Sequence, residues 1–391
     1  MQYKYCILKM RIMIKSINRI LFYFISIFYI VGCSYRTTKK VDNSKVQNSI
    51  SKKFKNNFLI GVAINKNQIL NHDSKSFELI KREFNSVSPE NCMKWESIMP
   101  EPLKYSFELA DKYVAFGKQN KMHTVGHTLV WHSQLPAFMH KVKDPILMNT
   151  YIKKHIKKLV TRYKGKIDTW DVVNEALNND GTLRKSLFLN VIGEKYIENA
   201  FKLAEKFDSK ANLVYNDFNL CSPKKRQGAV RMIKKIQKSG AKINGIGIQA
   251  HWGLSYPTME EIEKSIITFA RLGLKVSFTE LDISVLPNPK DLEGADVNQN
   301  FDNYKGDIKM NLYPNKLPNS VQDQLANRYQ RIFQLFLKHK DKIDRVTFWG
   351  LTDENSWLND FPIKGRTNYP LLFNRQYKPK KAYKHILSLK G

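Results

Sequence analysis

The stretch "TWDVVNEALNNDG", Thr169 to Gly181, changes from strand-like to turn-like along its length. Trp170, Val172 and Val173 suit a pleated sheet, because aromatic and β-branched side chains pack well there. Asn174 and Glu175 close the run, and "NNDG" supplies turn residues. The amphipathic stretch "KYIENAFKLAEKF" follows, and then a second apolar run, "ANLVYNDFN" from Ala211. Strand, turn, helix and strand in that order is the repeating unit of a parallel sheet. A carboxylate at the end of such a strand is either an ordinary exposed charge or a group that does chemistry. The stretch alone leaves both open.

The same unit recurs in both directions along the chain. Apolar runs begin at Phe58 ("FLIGVAI"), Phe84 ("FNSVSPEN"), His123 ("HTVGHTLVW") and Ile167, which leads the opening stretch. They continue at Ala211, at Asn244 ("NGIGIQAHW"), at Leu274 ("LKVSFTELDI") and at Asp344 ("DRVTFWGL"). Eight units suit a (β/α)8 barrel of the TIM type with some long loops. The alternative is an open doubly wound sheet, but no Gly-rich phosphate loop follows the first run. The expected barrel domain is 53–391.

Chemistry in such a barrel belongs at the C-terminal ends of the strands. Reading those ends gives Glu90, Asn91 and Lys94, then His127, Trp131, His132 and Gln134, then Asn174 and Glu175. Asn216 and Asp217 come next, followed by Gln249, His251 and Trp252, by Glu280 and Asp282, and by Trp349 and Trp357. A lone Trp is usually core and a lone Lys usually solvated, yet carboxylates, amides, imidazoles and indoles converge on one face. That combination suits a sugar, whose hydroxyls need polar partners and whose C–H faces pack on indole. A metal centre does not fit. His127 and His132 point to opposite sides of a strand, and His123 and His127 lie about 13 Å apart at roughly 3.3 Å per residue. HExxH, CxxC and GxSxG are absent from the sequence.

Composition excludes less than its imbalance suggests. The formal charge of +30 raises nucleic-acid binding. However, "KKHIKK" and "RMIKKIQK" alternate with apolar positions at helical spacing and read as solvated helix faces. No nucleic-acid partner is expected. Residues 1–32 hold Lys4, Lys9, Arg11, Lys15 and Arg19, no acid, and an apolar run from Ile20 to Val31. Such a run is too short to span about 30 Å of hydrocarbon, so 1–32 reads as an export signal. "IVGC" resembles a bacterial lipobox with Ile30 in place of the commoner Leu, which makes Cys33 the expected lipid-bearing residue. The alternative is a plain signal peptide with an incidental cysteine. Residues 33–52 read as a polar tether. The mature chain is then a membrane-anchored lipoprotein, periplasmic or on the cell surface. Of the four cysteines Cys92 and Cys221 remain, expected as small buried hydrophobes rather than a disulfide framework.

Six segments together, "ENCMKW", "GHTLVWHSQLP", "WDVVNEA", "IQAHW", "FTELDI" and "VTFWGLTDENSWL", resemble family 10 glycoside hydrolases, the retaining endo-β-1,4-xylanases. The likeness runs from about Phe58 to Tyr383. It implies Glu175 as acid/base and Glu280 as nucleophile, with xylan and xylo-oligosaccharides as substrates. It places Glu90, Asn91, Lys94, His127, Trp131 and Gln134 on the glycone side. Asn174, Gln249 and His251 surround the cleaved bond, and Trp349 and Trp357 cover it. Neither cofactor nor metal is implied, and a monomer is the default. Cys92, "DENSW" and "PAFMH" depart from the family's commoner motifs and bear on distal sugar sites.

The chemistry follows from two carboxyls held close: one protonates the leaving oxygen while the other attacks the anomeric carbon. Strict alternation would aim Asn174 and Glu175 to opposite faces, so the strand is expected to end or bulge there. Asp282 shares a face with Glu280 and is expected to orient His251 against it. Repulsion from charged Glu280, with partial burial, is expected to raise the Glu175 pKa. A hydrolase of another β-glycan and a silent sugar-binding lipoprotein are the competing readings. Activity on cellulose or mannan would mark the first, and the presence of both glutamates argues against the second.

Overall fold

The computed structural model describes residues 49–390, which lie within one compact unit. The expected export signal, Cys33 and most of the tether lie outside the described residues. The strands are β1 (Leu59–Ile64), β2 (Ser86–Pro89), β3 (His123–Trp131), β4 (Thr169–Asn174), β5 (Asn212–Asp217), β6 (Gly245–Ile248), β7 (His251–Gly253), β8 (Lys275–Ser284) and β9 (Ile343–Phe348). They pair in parallel in the order β6-β5-β4-β3-β2-β1-β9-β8-β7, and a further β6–β8 pairing closes the ring. Only β7 stands outside it, extending the line of β6 and pairing with β8 alone. The result is a closed eight-stranded (β/α)8 barrel.

A short α1 (Ile50–Lys53) precedes β1, and a longer helix follows each barrel strand. These are α2 (Ser74–Glu83), α3 (Glu108–Gln119), α4 (Pro145–Arg162), α5 (Lys195–Phe207), α6 (Pro223–Lys238), α7 (Met259–Ala270), α8 (Asn319–Lys338) and α9 (Lys381–Leu387). Helix α4 shows why they form. Asp144 caps it by accepting the Leu147 N–H at 2.6 Å, and Pro145 occupies the first turn, where its missing N–H costs nothing. Met148, Ile152, His155, Ile156, Leu159 and Val160 are buried at helical spacing, while Lys153, Lys154, Lys157 and Lys158 face water. Cys92 and Cys221 are buried and unpaired.

Two segments differ from the sequence reading. The tether was expected to reach residue 52, but α1 already packs at Ile50, whose N–H donates to Glu83 Oε2 at 3.2 Å. Ile50 and Phe54 are an i, i+4 apolar pair on otherwise polar chain, and both are fully buried. The run from Asn244 was read as one strand. It breaks after Ile248, where Ala250 takes φ +67°, and resumes as β7. The break turns Gln249 and His251 onto one rim of the barrel.

Candidate active site

Register decides which side chains meet at the C-terminal rim. His127 lies level with Asp171, Asn174 with Asn216, and His251 with Asp282. Each pair is bonded. His127 Nδ1 is 2.9 Å from Asp171 Oδ2, Asn216 Nδ2 donates to Asn174 Oδ1 at 2.9 Å, and His251 Nδ1 is 3.0 Å from Asp282 Oδ1.

Glu175 follows the last residue of β4, whose register shifts between Asp171 and Val173. It adopts φ +57°, a left-handed conformation that costs a side-chain-bearing residue about 1–3 kcal/mol. The turn takes its carboxyl out of strand alternation and onto the rim beside Asn174. Trp131 Nε1 donates to Glu175 Oε2 at 2.8 Å, and Gln249 Nε2 donates to Oε1 at 2.9 Å. Asn174 Nδ2 adds a longer bond to Oε1 at 3.2 Å.

Glu280 faces it from β8. Asn216 Nδ2 donates to Glu280 Oε1 at 2.8 Å, and His251 Nε2 stands 3.2 Å from Oε2. Asp282 holds the far side of that imidazole and accepts the Trp357 indole N–H at 2.7 Å. Both glutamates are buried. A single network therefore runs from Glu175 through Asn174 and Asn216 to Glu280, and on through His251 to Asp282 and Trp357.

The remaining expected residues extend that network. Lys94 Nζ donates to Asn91 Oδ1 at 2.8 Å and to Gln134 Oε1 at 2.6 Å, and it lies 4.9 Å from the centre of the Trp131 ring. Asn91 donates weakly to Glu90 at 3.4 Å. The Trp349 ring meets His127 edge-on at 5.6 Å and His251 at 6.4 Å. Among the described residues no group of three or more His, Cys, Asp or Glu is disposed to hold a metal ion.

Two carboxyls in a rim of indoles, amides and imidazoles on this barrel have a counterpart among known sequences. The profile of glycosyl hydrolase family 10 matches residues 49–389. The chain belongs to that family. It is 43% identical over 337 residues to endo-1,4-beta-xylanase A of Xylanibacter ruminicola, covering 85% of this chain and 90% of the relative. It is 41% identical to a beta-1,4-xylanase of Dictyoglomus thermophilum, over 87% and 90% of the two chains. A family 10 endoxylanase from a sugarcane soil metagenome superposes with a TM-score of 0.81 at 44% identity. That match covers 87% of this chain and 98% of the other.

In this family 10 hydrolase the two glutamates are driven apart electrostatically. Burial pushes the Glu175 pKa up to about 7, with the nearby Asp217 charge adding to it. The amide and indole donors oppose the rise, and the charge of Glu280 contributes less than either burial or Asp217. The sequence expectation, which led with Glu280, is corrected on that point. Burial also works on Glu280, yet the His251 bond and the charges of His127 and His251 outweigh it and hold Glu280 below its usual range. Burial would lower the His251 pKa, but Asp282 and Glu280 raise it to about 10.

Asn216 had been read as a strand-end residue without a role. Its signal was present in "YNDFN", but its bond to Glu280 depends on a register that only the folded sheet supplies. Asp171 has no sequence signal as a partner of His127. Behind Glu175 lies a buried cluster of which the sequence reading had only Asp217, as a strand-end residue. Tyr215 hydroxyl donates to Asp217 Oδ2 at 2.5 Å, and Lys225 Nζ pairs with Asp217 Oδ1 at 2.7 Å. Lys225 also lies 3.6 Å from the centre of the Phe218 ring.

Proposed function

We propose that this chain is an endo-1,4-β-xylanase that hydrolyses internal bonds of xylan with retention of configuration. The observation that carries the reading is the pair of buried glutamates in opposite electrostatic settings, on a chain similar across its barrel to xylanases. Glu175, protonated near neutral pH, gives its proton to the leaving oxygen. Glu280, kept ionised by His251, attacks the anomeric carbon and forms a glycosyl ester. Glu175, now a carboxylate, takes a proton from water, which opens the ester and regenerates both groups. Asn174, Gln249 and His251 surround the cleaved bond, with Trp349 and Trp357 over it. Glu90, Asn91, Lys94, His127, Trp131 and Gln134 hold the glycone sugars.

Separate leaving groups test the two roles. Glu280→Gln should lose activity on every substrate. Glu175→Ala should lose about 10²–10⁴-fold on xylo-oligosaccharides, where a proton is needed. With an aryl xylobioside of a very acidic phenol it should show a burst of phenol and then a slow steady rate. Azide should restore turnover and yield a β-glycosyl azide. An α product, or rescue of Glu280→Gln to a β product, would reverse the assignment. Greater activity on cellulose or mannan than on xylan would reassign the substrate.

The reading extends to export and lipid attachment at Cys33. It is supported by the basic start, the short apolar run and "IVGC" in residues 1–33. The protein is then a monomeric lipoprotein facing the periplasm or the exterior.

A further inference from the structure

Glu175 needs its neighbours to hold it in a left-handed conformation. Its N–H donates to the Asn216 carbonyl at 2.9 Å, and the next N–H, of Ala176, donates to the Tyr215 hydroxyl at 3.1 Å. A single residue holds the carbonyl side. Arg184 donates from Nε to the Glu175 carbonyl at 3.1 Å and from its own backbone N–H to the Ala176 carbonyl at 2.8 Å. Its Nη2 reaches the Leu177 carbonyl at 3.4 Å. Three successive carbonyls are thus gripped by one arginine. Its Nη1 pairs with Asp296 Oδ2 at 2.6 Å, where both side chains are largely covered.

Asp296 belongs to the long connection after β8, the strand that carries Glu280. The same connection touches the segment after β3, where Asn298 Nδ2 donates to Ser133 Oγ at 2.6 Å. Gly294 lets it come so near. It takes φ +68°, and a Cβ there would fall 2.7 Å from the Phe218 ring and 2.6 Å from the Asn219 amide nitrogen.

We propose that Arg184, oriented by Asp296, is a positioning residue that sets the direction in which Glu175 presents its carboxyl to the leaving oxygen. The inference rests on Glu175 being the acid/base. Its bonds go to backbone carbonyls, so it acts through the peptide rather than on the reacting atoms. A planar fork with several donors suits three acceptors at different angles, and a lysine ammonium does not replace it. Proton delivery is sensitive to such placement, since a 1 Å error can cost about 10²-fold.

The test compares Arg184→Ala, Arg184→Lys and Asp296→Asn in the full chain, on an unactivated xylo-oligosaccharide and on an aryl xylobioside with a very acidic phenol. For Arg184→Ala, kcat on the oligosaccharide should fall about 10²-fold. Its KM should stay within about two-fold, because substrate binding is untouched. The phenol burst should keep its parent rate, and guanidinium ion should restore part of the lost kcat. Arg184→Lys should recover little, and Asp296→Asn should show the same pattern more weakly. An equal loss in the rate of the phenol burst, or an unchanged kcat on the oligosaccharide, would overturn the proposal. If Arg184→Ala does not fold, Asp296→Asn, which keeps its shape, decides the matter. A Glu175→Ala variant without leaving-group dependence would instead refute the role of Glu175 itself.

Discussion

Asp282 takes the His251 imidazole on one oxygen and the Trp357 indole on the other, so it steadies the ring that faces Glu280. Replacing it with Asn keeps an oxygen for the imidazole but removes the charge. His251, held at about 10 by its two carboxylates, should then titrate at a lower pH. Glu280 titrates below its usual range, where the imidazole keeps its proton with or without Asp282, so the ionisation of Glu280 should change little. With Glu280 as the proposed nucleophile, the acid limb of kcat/KM against pH should hold its position in Asp282→Asn, while an NMR titration should find the His251 imidazole losing its proton at lower pH than in the parent. The alkaline limb, which the proposed acid Glu175 would set at about 7, should stay in place as well. A His251 titration unchanged from the parent would mean that Asp282 does not hold the imidazole charged.

At the scale of elements, helix α6 and the turn after β4 meet backbone to backbone. A Cβ on Gly228 would lie 2.3 Å from the Gly181 carbonyl oxygen and 2.6 Å from its Cα. Gly→Ala in a helix ordinarily stabilises by about 0.5–1 kcal/mol. Here the added methyl meets a main chain that cannot rotate away, and overpacking of this kind costs about 1–3 kcal/mol. Gly228→Ala should therefore lower the thermal midpoint, and a variant as stable as the parent would show that the turn yields freely. This contact also marks a limit of sequence reading. The opening stretch revealed a strand, a turn and a rim carboxylate, because periodicity and turn chemistry are local. Gly181 was legible as a turn residue, but not as the surface against which α6 is pressed. Arg184 lies in "GTLRKS", a polar segment without periodicity, and its three acceptors become adjacent only after Glu175 has turned. The strand break at Ala250 was likewise hidden, since an alanine gives no warning of a left-handed backbone.

For the whole molecule, the charge of +30 spreads over helix faces such as those of α4 and α6, whose lysines, the buried Lys225 apart, lie outward between buried apolar positions. Such dispersion matches a solvated surface rather than a polyanion groove. The proposed lipid at Cys33 is testable at this scale. Metabolic labelling with a fatty acid should mark the wild-type protein and not Cys33→Ala, and the variant should leave the membrane fraction. An unlabelled wild-type protein would end the proposal. Labelling would also bear on which end of the barrel carries the attachment. Helix α1 enters at the end of the barrel where β1 starts, with Phe54 and Phe58 stacked on each other and meeting Phe333 and Phe336, from the last turns of α8, at tilted or edge-on angles. Glu175 and Glu280 open at the other end. A lipid on Cys33 would therefore pull on the protein from the end opposite its mouth, and the rim that would receive a polymer strand stays clear of the point of attachment.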